Sequence, residues 1–153
     1  MEQLPIYCQK EILIAGCGNK LFGDDGFGPE VVEYLLSHYT IPANVCLLDV
    51  GTGIRKILFT ISLSEPRPKE IVIIDAVDKG RKPGEIFEIT LDEIPEEKID
   101  DFSIHQVPSS NLLKELRDFC LVKVRILACQ IKAIPETIQS GLSEPVKKAV
   151  PLM

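Results

Sequence analysis

Two adjacent carboxylates, Asp24 and Asp25, lie in a glycine-rich segment of the sequence, GCGNKLFGDDGFG at residues 16–28, which we call the glycine turn. Glycine is used where the backbone takes a positive φ or approaches another group closely. The number of glycines around the acidic pair therefore indicates a turn that presents a carboxylate. The alternative, typical of an isolated Asp-Asp-Gly, is a simple turn with a helix cap.

The glycine turn lacks the pattern of a nucleotide-binding loop. A dinucleotide fingerprint needs a third glycine at position 21, where this sequence has Leu21. A phosphate-binding loop needs Lys and then Ser or Thr after Gly23, where Asp24 and Asp25 follow instead. Two carboxylates beside a helix N-terminus also repel a phosphate. The sequence therefore disfavours a small-molecule enzyme of flavodoxin-like architecture that binds a nucleotide here.

Asp75 and His105, which come later in the sequence, could form a site together with a carboxylate of the glycine turn. Asp75 follows the apolar run IVII at the end of a predicted strand, where a carboxylate is costly unless it is paired or faces a crevice. His105 lies in a polar loop, DFSIHQVPSS. Each also has a simpler interpretation, a loop-initiating aspartate and an incidental loop histidine. Together with the turn they form a candidate metal triad, because oxygen and nitrogen donors suit nickel, zinc or a similar divalent ion.

Other polar and reactive side chains are interpreted as structural. Asp49 occupies the same position as Asp75 on the preceding strand and is expected to be an anchor, and Asp78 is expected to be solvated. His38 falls at the end of the first predicted helix, where an imidazole is favourable. Cys17 could be activated beside a helix N-terminus, but a small apolar residue packed under the turn is the preferred interpretation.

The composition is that of one ordinary domain spanning residues 1–153, with 45% hydrophobic and 26% charged residues. A chain of this length buries enough surface to fold without disulfides or a structural metal. Its five cysteines are widely spaced and include no Cys-x-x-Cys pair, which favours reduced, mostly buried thiols in a cytoplasmic protein.

Charge and hydropathy argue against several classes of partner. The chain has 17 Lys and Arg against 23 Asp and Glu, and its basic residues are scattered, so a nucleic-acid partner is not expected. No stretch approaches 18 apolar residues, so we expect no membrane span. No exposed hydrophobic repeat requires an oligomer, and we expect a monomer without an organic cofactor.

The apolar pattern predicts alternating strands and helices, and hence an α/β fold. Short apolar runs predict strands at residues 11–15, 45–50, 70–76 and 123–130, and a strictly alternating run predicts an edge or antiparallel strand at 85–90. Helical spacing is found after Pro29, at 54–61, at 111–119 with Ser109 or Ser110 as the N-cap, and from Ser143, which is predicted to cap the last helix. This order predicts a three-layer αβα domain with a mostly parallel, twisted sheet.

The sequence resembles the hydrogenase maturation proteases, endopeptidases that trim a C-terminal tail from the large subunit of nickel–iron hydrogenases. The shared motifs are G-C-G-N-x-L-F-x-D-D-G-x-G-P-E-V-V at residues 16–32, LDVGTG at 48–53, IIDAVD at 73–78, HQ at 105–106 and GLSEPV at 141–146. They occur in the family's order and extend over nearly the whole chain. Within the family, the sequence looks closest to the delta-type protein of the deazaflavin-reducing hydrogenase of methanogens.

The resemblance implies site residues. The family's nickel ligands fall on Asp25, Asp75 and His105, which are also expected to carry catalysis. The family often has Glu where this chain has the shorter Asp25, so Asp24 is an alternative ligand. Asp49 matches a family aspartate near the cleft, and it is assigned a supporting role with two residues of the first motif, Gly18 and Asn19.

The resemblance also implies an activity. The chain is expected to remove a C-terminal peptide from a nickel-loaded large-subunit precursor, with nickel carried by the substrate and used as the recognition element. The alternative is a module of the same fold that binds the precursor or a metal chaperone without cutting it.

Overall fold

The computed structural model describes residues 4–93 and 110–153. Within these ranges one sheet contains the strands β1 (Ile12–Cys17), β2 (Val45–Gly51), β3 (Glu70–Val77), β4 (Ile86–Ile89) and β5 (Lys123–Gln130). Their order across the sheet is β2-β1-β3-β5-β4. Neighbouring strands are parallel except for β4, which runs antiparallel to β5 at one edge. The predicted sheet and its antiparallel edge strand are confirmed.

Helices cover both faces of this sheet. In the described ranges they are α1 (Ile6–Gln9), α2 (Phe27–His38), α3 (Ile54–Leu63), α4 (Ser110–Asp118) and α5 (Glu144–Ala149). One apolar core joins the sheet to α1, α3 and α4, and a second core on the other face joins it to α2 and α5. The predicted three-layer arrangement is therefore present. No helix among the described residues has the length and apolar character that crossing a bilayer would require.

Strand β3 lies in the middle of the sheet and is buried on both faces. Ile73 belongs to the core under α3 and α4, while Ile74 belongs to the core under α2. Successive side chains of a strand point to opposite faces, so a strand covered on both sides needs apolar residues at every position. This explains why the run before Asp75 shows no alternation.

The strand order creates a crevice at the carboxyl ends of β1 and β3. β2 and β3 flank β1 on opposite sides, and the helices that follow β1 and β2 lie on opposite faces of the sheet. In open α/β sheets, ligands bind at such a switch point. The glycine turn leaves the end of β1, and Asp75 lies near the end of β3.

Candidate active site

The start of α2 is packed directly against the ends of β1 and β3. A Cβ atom on Gly28 would lie 2.3 Å from the Cys17 carbonyl oxygen and 2.6 Å from the Ile74 carbonyl oxygen. A Cβ atom on Gly16 would lie 2.5 Å from the Gly28 carbonyl oxygen. The glycines of the turn therefore permit a contact between helix and strand backbones that no side chain would allow.

Asp25 is held by the first residues of the glycine turn. Gly23–Gly26 forms a single 3₁₀ turn in which Asp25 is buried. The backbone N–H of Asn19 donates to both the carbonyl oxygen and the Oδ2 atom of Asp25, each at 3.1 Å. Gly18 has φ of +137°, and a Cβ atom there would lie 1.9 Å from the Asp25 carbonyl oxygen. Gly18 and Asn19 thus contact Asp25 directly.

Asp24 is engaged by the C-terminal part of the chain. Its Oδ2 atom accepts hydrogen bonds from the Lys132 N–H at 2.8 Å and the Ser143 hydroxyl at 2.9 Å, and its Oδ1 atom accepts one from the Ser143 N–H at 2.7 Å. Both oxygens of the alternative ligand are therefore used in structural contacts.

The predicted position of Ser143 at the start of the last helix is confirmed, but its side chain has a different partner from the one expected of a cap. Ser143 occupies the N-cap position of α5, but its side chain forms no cap hydrogen bond. The hydroxyl donates to Asp24 instead, because a buried carboxylate beside the helix start is a stronger acceptor than water or a neutral group.

Asp75 and Cys17 lie side by side on one face of the sheet. Gly16 is paired with Ile74 in the parallel register, and the next residue on each strand is Cys17 or Asp75. Asp75 is buried, and its Oδ1 atom accepts the Ala76 N–H at 2.8 Å.

The pKa of the Cys17 thiol depends on its burial and on nearby carboxylates. Its burial, and then the negative charges of Asp75, Asp49 and Asp25, raise the pKa of Cys17 well above its usual range. The negative charges of all three aspartates thus act on this sulfur atom. The thiol stays protonated at neutral pH and is not an activated nucleophile. The interpretation of Cys17 as a buried packing residue is confirmed.

Asp49 connects β2 to the glycine turn through the backbone. It is exposed, and its Oδ1 atom accepts the Gly51 N–H at 3.0 Å. The Gly51 carbonyl oxygen in turn accepts the Gly18 N–H at 2.9 Å. Asp49 therefore fixes the bend whose carbonyl oxygen holds the start of the turn.

Gln130, which the sequence did not single out, organises the loop after β3. This buried side chain accepts hydrogen bonds from the N–H groups of Lys79 and Arg81 and donates to the Asp78 carboxylate and the Ile131 carbonyl oxygen. Asp78 is exposed, as expected, although it is also held by Gln130. The available signal was a lone glutamine that ends an apolar strand.

Of the two histidines, His38 lies within the described residues and His105 lies outside them. His38 is in the last turn of α2, where its Nδ1 atom is 2.9 Å from the Tyr34 carbonyl oxygen and its ring stacks on the Tyr34 ring at 4.0 Å, which confirms its local role. Among residues 4–93 and 110–153, no three His, Cys, Asp or Glu side chains are grouped so that they could hold a metal ion.

The comparison with protein families connects this geometry to a known class of enzyme. Residues 29–153 match the sequence model of the hydrogenase maturation protease family. The chain belongs to the hydrogenase maturation protease family. It is accordingly a maturation endopeptidase, and the family predicted from the glycine turn and the later motifs is confirmed.

Individual relatives of this protease extend the match through the glycine turn. The chain is 43% identical over 144 residues to a Methanocaldococcus jannaschii protein described as a hydrogenase maturation protease, with 93% of this chain and 90% of that protein covered. It is 37% identical over 145 residues to the coenzyme F420 hydrogenase subunit delta of Methanothermobacter thermautotrophicus, with 92% and 88% covered.

Solved structures show the same fold. A nickel–iron hydrogenase maturation protease from Thermococcus kodakarensis has a TM-score of 0.66 at 31% identity, with 93% of each chain covered. A hydrogenase maturating endopeptidase from Escherichia coli has a TM-score of 0.73 at 26% identity, with 93% of this chain and 86% of that chain covered.

Proposed function

We propose that this protease removes a C-terminal peptide from the nickel-loaded large-subunit precursor of a nickel–iron hydrogenase. The observation that carries the proposal is the position of two buried carboxylates at the switch point of the sheet, Asp25 in the turn that follows β1 and Asp75 near the end of β3. The family membership of the chain supports the reaction class, and the names of its relatives support a hydrogenase subunit as the partner.

In this proposal nickel belongs to the substrate. The carboxylates of Asp25 and Asp75 and the imidazole of His105 ligate nickel that the precursor already contains, and hard oxygen and imidazole donors suit this ion. Docking brings the segment to be cleaved beside the metal. A polarised water adds to the scissile carbonyl carbon, the C–N bond breaks, and the leaving nitrogen takes up a proton.

The buried positions of the carboxylates suit brief recognition of a metal. In this proposal the protease offers few donors of its own, the carboxylates of Asp25 and Asp75 and the imidazole of His105. A site with few ligands of its own is completed by the donors that hold nickel in the precursor. We also propose that processing takes place in the cytoplasm, which is supported by five cysteines that are all free thiols.

The test is incubation of the purified protease with two forms of the precursor, one loaded with nickel and one nickel-free. Mass spectrometry should show loss of a C-terminal peptide from the loaded form only. A second arm uses the variant Asp25→Asn, in which the carboxylate is replaced by an amide of nearly the same shape, and this variant should leave the loaded precursor uncut.

Each alternative has its own outcome in this experiment. Equal cleavage of both precursors contradicts recognition of nickel. Binding of the loaded precursor without any shortening supports a non-catalytic binding module instead. Cleavage by Asp25→Asn at the wild-type rate removes Asp25 from the site.

A further inference from the structure

A groove of about 350 Å³ lies beside the candidate active site. One wall is formed by Gly23 and Asp24 of the glycine turn, and the other by residues 132–143. We call it the Asp24 groove. Its volume is near the lower end of the range for small-ligand pockets, roughly 300–1,000 Å³, and suits a single amino-acid side chain with part of its backbone.

The lining of the Asp24 groove combines apolar side chains with the exposed Lys132 at its rim. Ile134, Pro135 and Leu142 contribute apolar surface. The one carboxylate in the wall, Asp24, is 1% exposed and already accepts three hydrogen bonds. It is therefore not available to bind a cation, and the groove selects by shape and apolar contact.

An exposed backbone segment runs along the same part of the molecule. The Gln139 N–H donates to the Leu21 carbonyl oxygen, and the Gly23 N–H donates to the Gln139 carbonyl oxygen, both at 2.8 Å. These bonds form a parallel bridge to the glycine turn. In an extended chain the backbone N–H and carbonyl groups of successive residues point to opposite sides. The backbone groups of Ile138 and Ser140 therefore face away from the turn.

The same segment carries apolar side chains in contact with water. Ile138 is 69% exposed and Leu21, on the neighbouring glycine turn, is 49% exposed. Exposed apolar groups beside an outward-facing backbone edge fit an extended peptide, which adds hydrogen bonds to the edge and places alternate side chains on either side.

We propose that the Asp24 groove and the edge at residues 138–140 bind the C-terminal segment of the precursor as an extended strand, with an aliphatic side chain in the groove. The proposal rests on the proposed function. Continuity with the candidate site supports this occupant, because Asp24 forms the groove wall and the next residue, Asp25, is a candidate nickel ligand. A peptide in the groove therefore lies beside the place where its cleavage is proposed.

Two variants test the proposal with the full-length protease. Ile138→Asp places a charge on the exposed edge, and Ala133→Trp fills the groove from a lining position that is exposed. Leu63→Asp is the matched control, because Leu63 is 72% exposed and lies at the far end of α3, away from the carboxyl ends of the strands. Each variant is assayed for binding of a labelled peptide with the precursor's C-terminal sequence, and for cleavage of nickel-loaded precursor.

We expect Ile138→Asp and Ala133→Trp to weaken peptide binding and raise KM by roughly tenfold or more, with kcat little changed, as when a central apolar contact is lost. Leu63→Asp should match the wild type. Wild-type-like binding and KM in both test variants overturn the groove proposal while the proposed function stands. A wild-type protease that neither binds nor cleaves the precursor overturns the proposed function and the groove with it.

Discussion

Adjacent aspartates of the glycine turn have different environments although their chemistry is identical. Asp24 accepts hydrogen bonds from Lys132 and Ser143 with both of its carboxylate oxygens. Asp25 accepts the Asn19 N–H and lies near Cys17 with Asp75. The first aspartate therefore fixes the turn to the C-terminal part of the chain, and the second is the one that we propose as a nickel ligand.

Replacing Asp75 by Asn should abolish cleavage without unfolding the protein. The amide keeps the shape but removes the charge that ligates a metal, and we expect cleavage of nickel-loaded precursor to fall at least about a hundredfold. Asp78→Asn is the control, since Asp78 follows the same strand but is exposed. Mass spectrometry measures the rate and circular dichroism the melting temperature. A wild-type rate in Asp75→Asn would exclude this carboxylate from the mechanism.

The Cys17 thiol should resist alkylation in the native protein. Burial and nearby carboxylates raise its pKa, so little thiolate exists at pH 7 to 8, and iodoacetamide reacts with thiolate. Cys120, which is only half-buried, is the internal comparison, and denatured protein should react at both positions. Peptide mapping after a timed reaction gives the two rates. Modification of native Cys17 as fast as Cys120 would contradict the assigned environment.

Among the structural elements, the glycine turn depends on backbone conformations that only glycine adopts easily. Gly18 and Gly80 both have positive φ, but a Cβ atom on Gly18 would collide with the Asp25 carbonyl oxygen, whereas one on Gly80 would meet nothing within 4 Å. Gly80→Ala therefore reports a backbone cost alone, whereas Gly18→Ala adds the collision to the cost of its own φ of +137°.

This pair yields a prediction for stability and activity. Gly80→Ala should lower the free energy of unfolding by about 1–2 kcal/mol, the usual cost of a left-handed conformation. Gly18→Ala should lower it by more than about 3 kcal/mol and should displace Asp25, with loss of cleavage. Urea unfolding and the precursor assay measure the two effects. Equal destabilisation by both substitutions would show that the turn adjusts to the added methyl group.

The contact between the glycine turn and α5 can be tested in the same way. Ser143→Ala removes one donor to Asp24 and should cost about 1 kcal/mol. Asp24→Ala leaves three donors without their acceptor and should cost about 3 kcal/mol. Urea unfolding gives both values. A smaller loss for Asp24→Ala than for Ser143→Ala would mean that water replaces the carboxylate at little cost.

The elements that the sequence predicted are those whose signal is local. The apolar run before Asp75 and the alternation at 85–90 each reflect how many faces of a strand are buried, and β3 and β4 were predicted for that reason. The side-chain partners of Ser143 and Gln130 depend on residues 119 and about 50 positions away. No periodicity encodes such contacts, so Ser143 was predicted at the N-cap without its bonds to Asp24, and Gln130 was missed.

For the whole molecule, the covered faces of the sheet and the net charge favour a single copy. Apolar cores on both faces of the sheet are covered by the chain's own helices, and the net charge of −6 opposes close approach of identical copies. We expect light scattering after size-exclusion chromatography to give a mass near 17.0 kDa at micromolar concentration. A mass near twice that value would contradict the predicted monomer.

The Asp24 hydrogen bonds also set an order of events in biosynthesis. They join positions 108 and 119 residues apart, so the glycine turn emerges from the ribosome long before the groups that fix it. Contacts of such separation form late in folding. A nascent chain that stops before residue 132 contains Asp24 without any of the three hydrogen bonds that it accepts from Lys132 and Ser143.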